Sequence, residues 1–302
     1  MRRGLVPPTW LVDSAFLLEA FITINLAFLA LDIYVAHSMN EFRHWAEWIP
    51  FYFSISSAIA MAIVTWRAAE RDTTALSRRI MTGTGRWVGL TIGWASIAIG
   101  IAGLLWHLQS TFFRAATLKN LVYSAPFIAP LAYTGIGLLL LTNRTIHHRT
   151  RSWNRWVLFL AWAGFLGNFG LSLLDHAQNG FFFPSEWIPV GVSALAVGFL
   201  AVLILREPDQ LVIRTTLGIL ILQVMTGILG LGLHLRPLLD FSTAPLFDRI
   251  VHGAPVFAPL LFVNLALLAG IGVWESSLQL GHRVVARAHR PEVPDQLATD
   301  TR

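Results

Sequence analysis

Eight apolar runs dominate the chain: residues 10–36, 48–66, 87–107, 121–142, 156–174, 187–205, 212–234 and 252–274. Each approaches the roughly 20 residues that a helix needs to cross a hydrocarbon layer about 30 Å thick. Peptide groups find no water in that layer, so a spanning segment must bond to itself as a helix or close into a barrel. No run alternates with period two over the length of a barrel strand, which leaves helices. Charge agrees: 13% of the 302 residues are charged, against about 25% in an ordinary soluble domain. The expected fold class is an all-α integral membrane protein with eight transmembrane helices, its first partner the lipid bilayer.

Met1-Arg2-Arg3 could open a signal peptide. The next segment carries Asp13 and Glu19 and has no small-residue cleavage site, so it is read as the first membrane helix. Lysine and arginine then orient the bundle. With the N-terminus cytoplasmic, 17 of the 22 basic residues fall on the cytoplasmic side, and only Arg43, Arg114, Lys119, Arg236 and Arg249 on the other. That is a positive-inside bias, and it places both termini in the cytoplasm of a cell with an inner membrane. The net charge of +5 follows from this orientation and is spread over all inner loops, so no nucleic-acid partner is expected.

The chain also repeats itself. His37-x2-Asn40-x6-Glu47-Trp48-Ile49-Pro50 returns as His176-x2-Asn179-x6-Glu186-Trp187-Ile188-Pro189, at an offset of 139 without a gap. Trp66-Arg67 matches Leu205-Arg206 at the same offset. Gly100-x2-Gly103-x3-His107 matches Gly227-x2-Gly230-x3-His234 at offset 127, and Pro126-x3-Pro130 matches Pro255-x3-Pro259 at offset 129. Changes of offset fall only in connections, as expected of two copies of one structural unit. The predicted organisation is two tandem four-helix-bundle repeats, 1–145 and 156–280, joined by a basic cytoplasmic linker, 146–155, and followed by a polar cytoplasmic tail, 281–302. Four helices per unit is an even number, so the repeats run parallel, unlike the inverted repeats of many transporters.

There is no cysteine, which removes thiolate metal sites, iron–sulfur clusters and cysteine nucleophiles. Phosphate-loop, dinucleotide, zincin and nucleophile-elbow motifs are absent as well. The chemistry left is histidine chemistry. His37, Glu47, His107 and Tyr123 fall at one membrane depth in the first half, and His176, Glu186, His234 and His252 in the second. Groups at one depth on neighbouring helices can converge. Two or three imidazoles and a carboxylate suit zinc, copper or iron, and two facing histidines can instead hold a haem. Asp175, Asn179, Asn40 and Asp32 are candidates to orient these ligands. The plainer reading is that histidine and tryptophan simply mark helix ends at the water boundary, with Glu-Trp-Ile-Pro a helix start. That account leaves the duplicated histidines and glutamates without a reason.

The layout of eight helices in two tandem halves, with histidines near the outer ends, is similar to that of the haem A synthase family. That family's Glu-x2-His-Arg signature is absent, and no residue role is carried over. Three functions follow from the residues. One is a protein of membrane redox chemistry or of metal or haem handling, working with other membrane redox subunits. The second is a transporter or channel that uses the His/Glu sites, with Glu19 on a proton route or in a salt bridge to an arginine. The third is a structural accessory subunit.

Overall fold

The computed structural model describes residues 13–71, 80–206, 209–239 and 245–288. Among them the secondary structure is entirely helical. Eight long helices are numbered in chain order: α1 Ser14–Ser38, α2 Trp48–Arg71, α3 Gly83–Ser110 and α4 Leu131–Thr145, then α5 Arg151–Gln178, α6 Trp187–Leu205, α7 Gln210–Leu235 and α8 Leu260–Ala288. Two of them, α1 and α7, start on an aspartate cap: Asp13 Oδ1 accepts from Phe16 N–H at 3.1 Å, and Asp209 Oδ1 from Val212 N–H at 2.8 Å.

Among the described residues seven helices are long and apolar enough to cross a membrane, where eight spans were expected. The exception is α4, whose 15 residues rise only about 22 Å. The run at 121–142 is broken into a short helix, Leu118–Val122, tight turns, and then α4. Pro126 and Pro130 cause the break, because each lacks the N–H that an unbroken helix requires. The second half repeats this with a short helix, Leu246–His252, turns around Pro255 and Pro259, and α8. Two boundaries also move. The linker shortens to 146–150 because α5 starts at Arg151, and α8 runs as helix through 281–288, where a tail was expected. The remainder of that tail, the N-terminal Met1-Arg2-Arg3 and residues 72–79 lie outside the described residues.

Helices α1 to α4 touch in a closed ring, and α5 to α8 in a second. The rings meet where α1 packs on α8 and α4 on α5. Between α1 and α8, Asn25 and Asn264 exchange amide hydrogen bonds of 3.0 and 2.6 Å. Polarity is inverted relative to a soluble protein. Glu19, Asn143, Arg144 and Gln223 are buried, while Ile24, Trp94 and Ile221 are each more than 60% exposed. Such an exterior fits contact with lipid.

Glu19 is fully buried, and Arg144 pairs with both of its carboxylate oxygens. Asn143 Nδ2 donates to the same carboxylate at 3.0 Å, and Arg144 Nε donates to the Gly85 carbonyl at 3.2 Å. Of the two expectations for Glu19, the salt bridge is the one the fold contains.

Candidate functional site

Each half gathers its histidines at the end where its first and third helices finish. In the first, His37 in the last turn of α1 points Nδ1 at Glu47 Oε2, 3.6 Å away. Neither atom has a hydrogen-bond partner, although both are buried. In the second, His176 in the last turn of α5 faces Glu186 Oε2 across 3.8 Å, and that oxygen too is buried without a partner. Both glutamates close a one-turn 3-10 helix, Trp45–Glu47 or Pro184–Glu186, that leads directly into α2 or α6. The helix-start reading of Glu-Trp-Ile-Pro therefore holds for the backbone, with Trp48 and Trp187 as first residues. Glu186 makes no side-chain cap, so its carboxylate stays available to His176.

The second histidine of each mouth comes from α3 or α7. His107 Nδ1 lies 3.0 Å from the Pro126 carbonyl, and His234 Nδ1 lies 2.8 Å from that of Pro255. The proline spacing explains why these carbonyls are available. In a continuous helix the N–H four residues later would take each one. That residue is Pro130 or Pro259, which has no N–H. Only a tight-turn bond from Ala129 or Ala258, 3.2 Å in both cases, shares the oxygen. Glycines let the helices approach this closely: a Cβ on Gly103 or Gly230 would lie 2.8 or 2.9 Å from the Cβ of Pro130 or Pro259. Pro-x3-Pro and Gly-x2-Gly-x3-His thus form one device for holding an imidazole. In sequence the prolines read either as a packing kink or as a source of freed carbonyls, and the glycines as a site of close helix approach, with nothing to join the two.

A carbonyl can only accept, so Nδ1 of His107 and His234 carries the proton. In the neutral ring Nε2 then keeps its lone pair, and no hydrogen bond engages it among the described residues. A metal-binding histidine is commonly prepared this way, with its other ring nitrogen donating to a carbonyl or carboxylate. The rings of His37 and His107 lie 6.3 Å apart, centre to centre. Glu47 acts electrostatically on both. In the second half His176 interacts in the same manner with Glu186 and His234.

Other candidates lie farther out or face elsewhere. His252 is exposed and bonds through Nδ1 to the Asp248 carbonyl of its own short helix, at 3.1 Å. Tyr123, its counterpart, is 58% exposed. Asn40 and Asn179 are exposed turn residues whose N–H groups close back on the His37 and His176 carbonyls. Asp175 is half-buried and makes no hydrogen bond to His176, as expected of helix neighbours, which do not face each other. Asp32 lies beneath the mouth and acts on Tyr133, whose hydroxyl donates to the Pro50 carbonyl at 2.8 Å. Among the described residues no group of three His, Asp or Glu side chains is arranged to hold a metal ion.

Sequence reading missed Phe42 and Phe181. They stack on Trp48 and Trp187 at 4.0 and 3.9 Å and stand 5.8 and 6.1 Å from His37 and His176. The signal was there, since they too are 139 residues apart. No family model matches this chain, and none of the curated proteins or solved structures compared with it is similar.

Proposed function

We propose that this is a multi-pass inner-membrane haem protein. Each half holds one haem near the periplasmic face, between His37 and His107 in the first and between His176 and His234 in the second. The topology that goes with this reading has eight membrane segments in two parallel repeats and both termini in the cytoplasm. The 123–130 turns help the short α4 across.

One observation carries the proposal. The two mouths present imidazoles whose Nδ1 atoms face a carbonyl or a carboxylate, with Nε2 unengaged. His37 and His107, whose ring centres lie 6.3 Å apart, would hold the haem in the first half, and His176 and His234 would hold it in the second. Zinc or copper held by protein alone calls for three or four ligands. A haem brings four of its own and asks the protein for two, which matches a mouth with two histidines and no third ligand. When bound, a haem supplies one-electron chemistry. The protein's part is to fix ring orientation through the Pro126 and Pro255 carbonyls and to set Glu47 and Glu186 against Nδ1 of His37 and His176. A carboxylate there makes the imidazole a stronger donor. Such a protein serves as a membrane electron carrier or in haem handling beside other redox subunits. The transport reading uses the same His/Glu sites, and the Glu19 carboxylate, paired with Arg144, lends it no further support.

Purification in mild detergent from haem-replete cells tests this directly. The absorption spectrum and haem quantification are expected to give two haems per chain. His107→Ala and His234→Ala are each expected to leave one, and the double variant none. Folded, monodisperse protein that carries no haem and takes up no added haemin would overturn the proposal.

A further inference from the structure

Two carboxylates inside the membrane-crossing helices belong neither to the mouths nor to the Glu19–Arg144 pair. Glu275 lies in the apolar span Leu260–Gly281 of α8 and is only 8% exposed. It makes no hydrogen bond or ion pair among the described residues. Asp32 on α1 is half-buried and acts on Tyr133 through its charge, without a hydrogen bond.

Both stand on the seam where α1 of one ring packs on α8 of the other. Asn25 and Asn264 meet there, and one turn nearer the mouths Phe28 meets Phe257, ring centres 5.2 Å apart. Asp32 follows Asn25 by seven residues and Phe28 by four, which keeps it on the same stripe of α1. Glu275 follows Asn264 by eleven, or three turns, on the seam stripe of α8. Because the helices are antiparallel, Asp32 lies on the mouth side of the amide pair and Glu275 on the opposite side. At 1.5 Å of rise per residue the two carboxylates stand about 10 and about 16 Å from the pair, nearly the thickness of a hydrocarbon layer in total.

The same fold builds a second seam, between α4 and α5, without these groups. Repeat offsets of 139 and 129 put Gly164, Leu171, Gly135 and Ile146 at the places of Asn25, Asp32, Asn264 and Glu275. Packing of the two rings therefore does not itself require polar side chains at these four places. The amide pair also keeps hydrogen-bonding capacity to offer. Asn25 Nδ2 uses both hydrogens, on Asn264 Oδ1 and on the Phe21 carbonyl at 2.8 Å. Asn264 Nδ2 retains one hydrogen and each Oδ1 a lone pair, so the pair can donate to water and accept from it.

We propose that the α1–α8 seam carries protons across the membrane. Ionisable side chains that face a bundle interior commonly mark such routes. Glu275 takes a proton from water on the side opposite the mouths and passes it to water in the seam. The amide pair orders that water, and Asp32 receives the proton and releases it on the mouth side. Each step moves a proton from one oxygen to another with no change of oxidation state, and a proton gradient or membrane potential drives it. No step uses a haem, so this route stands apart from the haem reading.

The test uses the full-length protein in liposomes that trap a pH-sensitive dye, with proton entry driven by a potassium diffusion potential set with valinomycin. Wild type is expected to admit protons at least about tenfold faster than protein-free liposomes. Glu275→Gln and Asp32→Asn are each expected to fall to the protein-free rate. Asp248→Asn, the same charge change outside the spans, is expected to match wild type. Glu275→Gln keeps the shape of the side chain and breaks no hydrogen bond, so it decides the matter if Asp32→Asn fails to fold. Wild-type flux no faster than that of protein-free liposomes, flux that survives in either folded seam variant, or equal loss in Asp248→Asn overturns the proposal.

Discussion

Phe42 and Phe181 adopt left-handed backbone, with φ of 49° and 52°. For a bulky residue this conformation costs about 1–2 kcal/mol, and it occurs twice, five residues after each mouth histidine. Stacking on Trp48 and Trp187, with ring planes within 22° and 11°, offsets part of that cost. The preceding residue is also left-handed in both halves: Glu41 at φ 55° and Gly180 at φ 69°. Glycine takes this conformation freely and glutamate does not. Glu41→Gly is therefore expected to stabilise the purified protein by about 1 kcal/mol, and Gly180→Ala to destabilise it by a similar amount. Nothing lies within 4 Å of a Cβ added to Gly180, so backbone strain alone decides the second case. Thermal unfolding in detergent reads both, and an unchanged midpoint in each would show that the turn is not held as described. The repeated phenylalanine was legible as a pattern. Its backbone angle was not, because glutamate at position 41 hides the turn that glycine at 180 announces.

At the scale of helices, the halves diverge under the mouths. On α2 and α4, the Ser54 and Tyr133 hydroxyls pair while Tyr133 also bonds the Pro50 carbonyl. The second half keeps the serine, as Ser193 on α6, but has Phe262 where Tyr133 stands. Ser193 Oγ is consequently buried without a partner. A buried unpaired hydroxyl costs about 1–3 kcal/mol. Tyr133→Phe should thus destabilise by about that range by orphaning Ser54, whereas Ser193→Ala should be neutral or stabilising. Unfolding midpoints measured side by side check the pair, and similar losses in both would contradict it. Element order followed from apolar run length, and run length also misled. It joined 121–142 into one span because hydropathy ignores the two N–H groups that Pro126 and Pro130 lack. That prolines four apart free carbonyls can be read in sequence; which group takes each carbonyl cannot. A freed carbonyl that fixes His107 is a hydrogen-bond consequence, invisible to any count of apolar residues.

The whole molecule turns on how two similar bundles differ at the ends opposite their histidine mouths. In sequence a salt bridge from Glu19 to an arginine is one of two expectations, but its partner goes unnamed because Arg144 counts among the arginines that orient the chain. The fold draws Arg144 inside, to 2% exposure, against Gly89, where a Cβ would collide with the guanidinium. A buried ion pair contributes little net stability, yet removing one partner leaves an uncompensated charge and costs about 3–5 kcal/mol. Glu19→Leu alone and Arg144→Val alone are therefore expected to express poorly or unfold early, since that loss is a large share of the roughly 5–15 kcal/mol that holds a typical fold. The second half supplies the control. Its residues at these positions, Leu158 and Val273, are apolar and fully packed. Glu19→Leu combined with Arg144→Val copies that solution and should recover wild-type stability or exceed it. Asn143 Nδ2 loses one acceptor in the double variant but keeps the Ala15 carbonyl, 3.1 Å away. Yield, monodispersity and unfolding midpoint of the four proteins decide the matter. A double variant no better than either single one would mean that the charges act separately. In that case Glu19 and Arg144 would each be held in place by its other contacts, Asn143 for the carboxylate and the Gly85 carbonyl for the guanidinium.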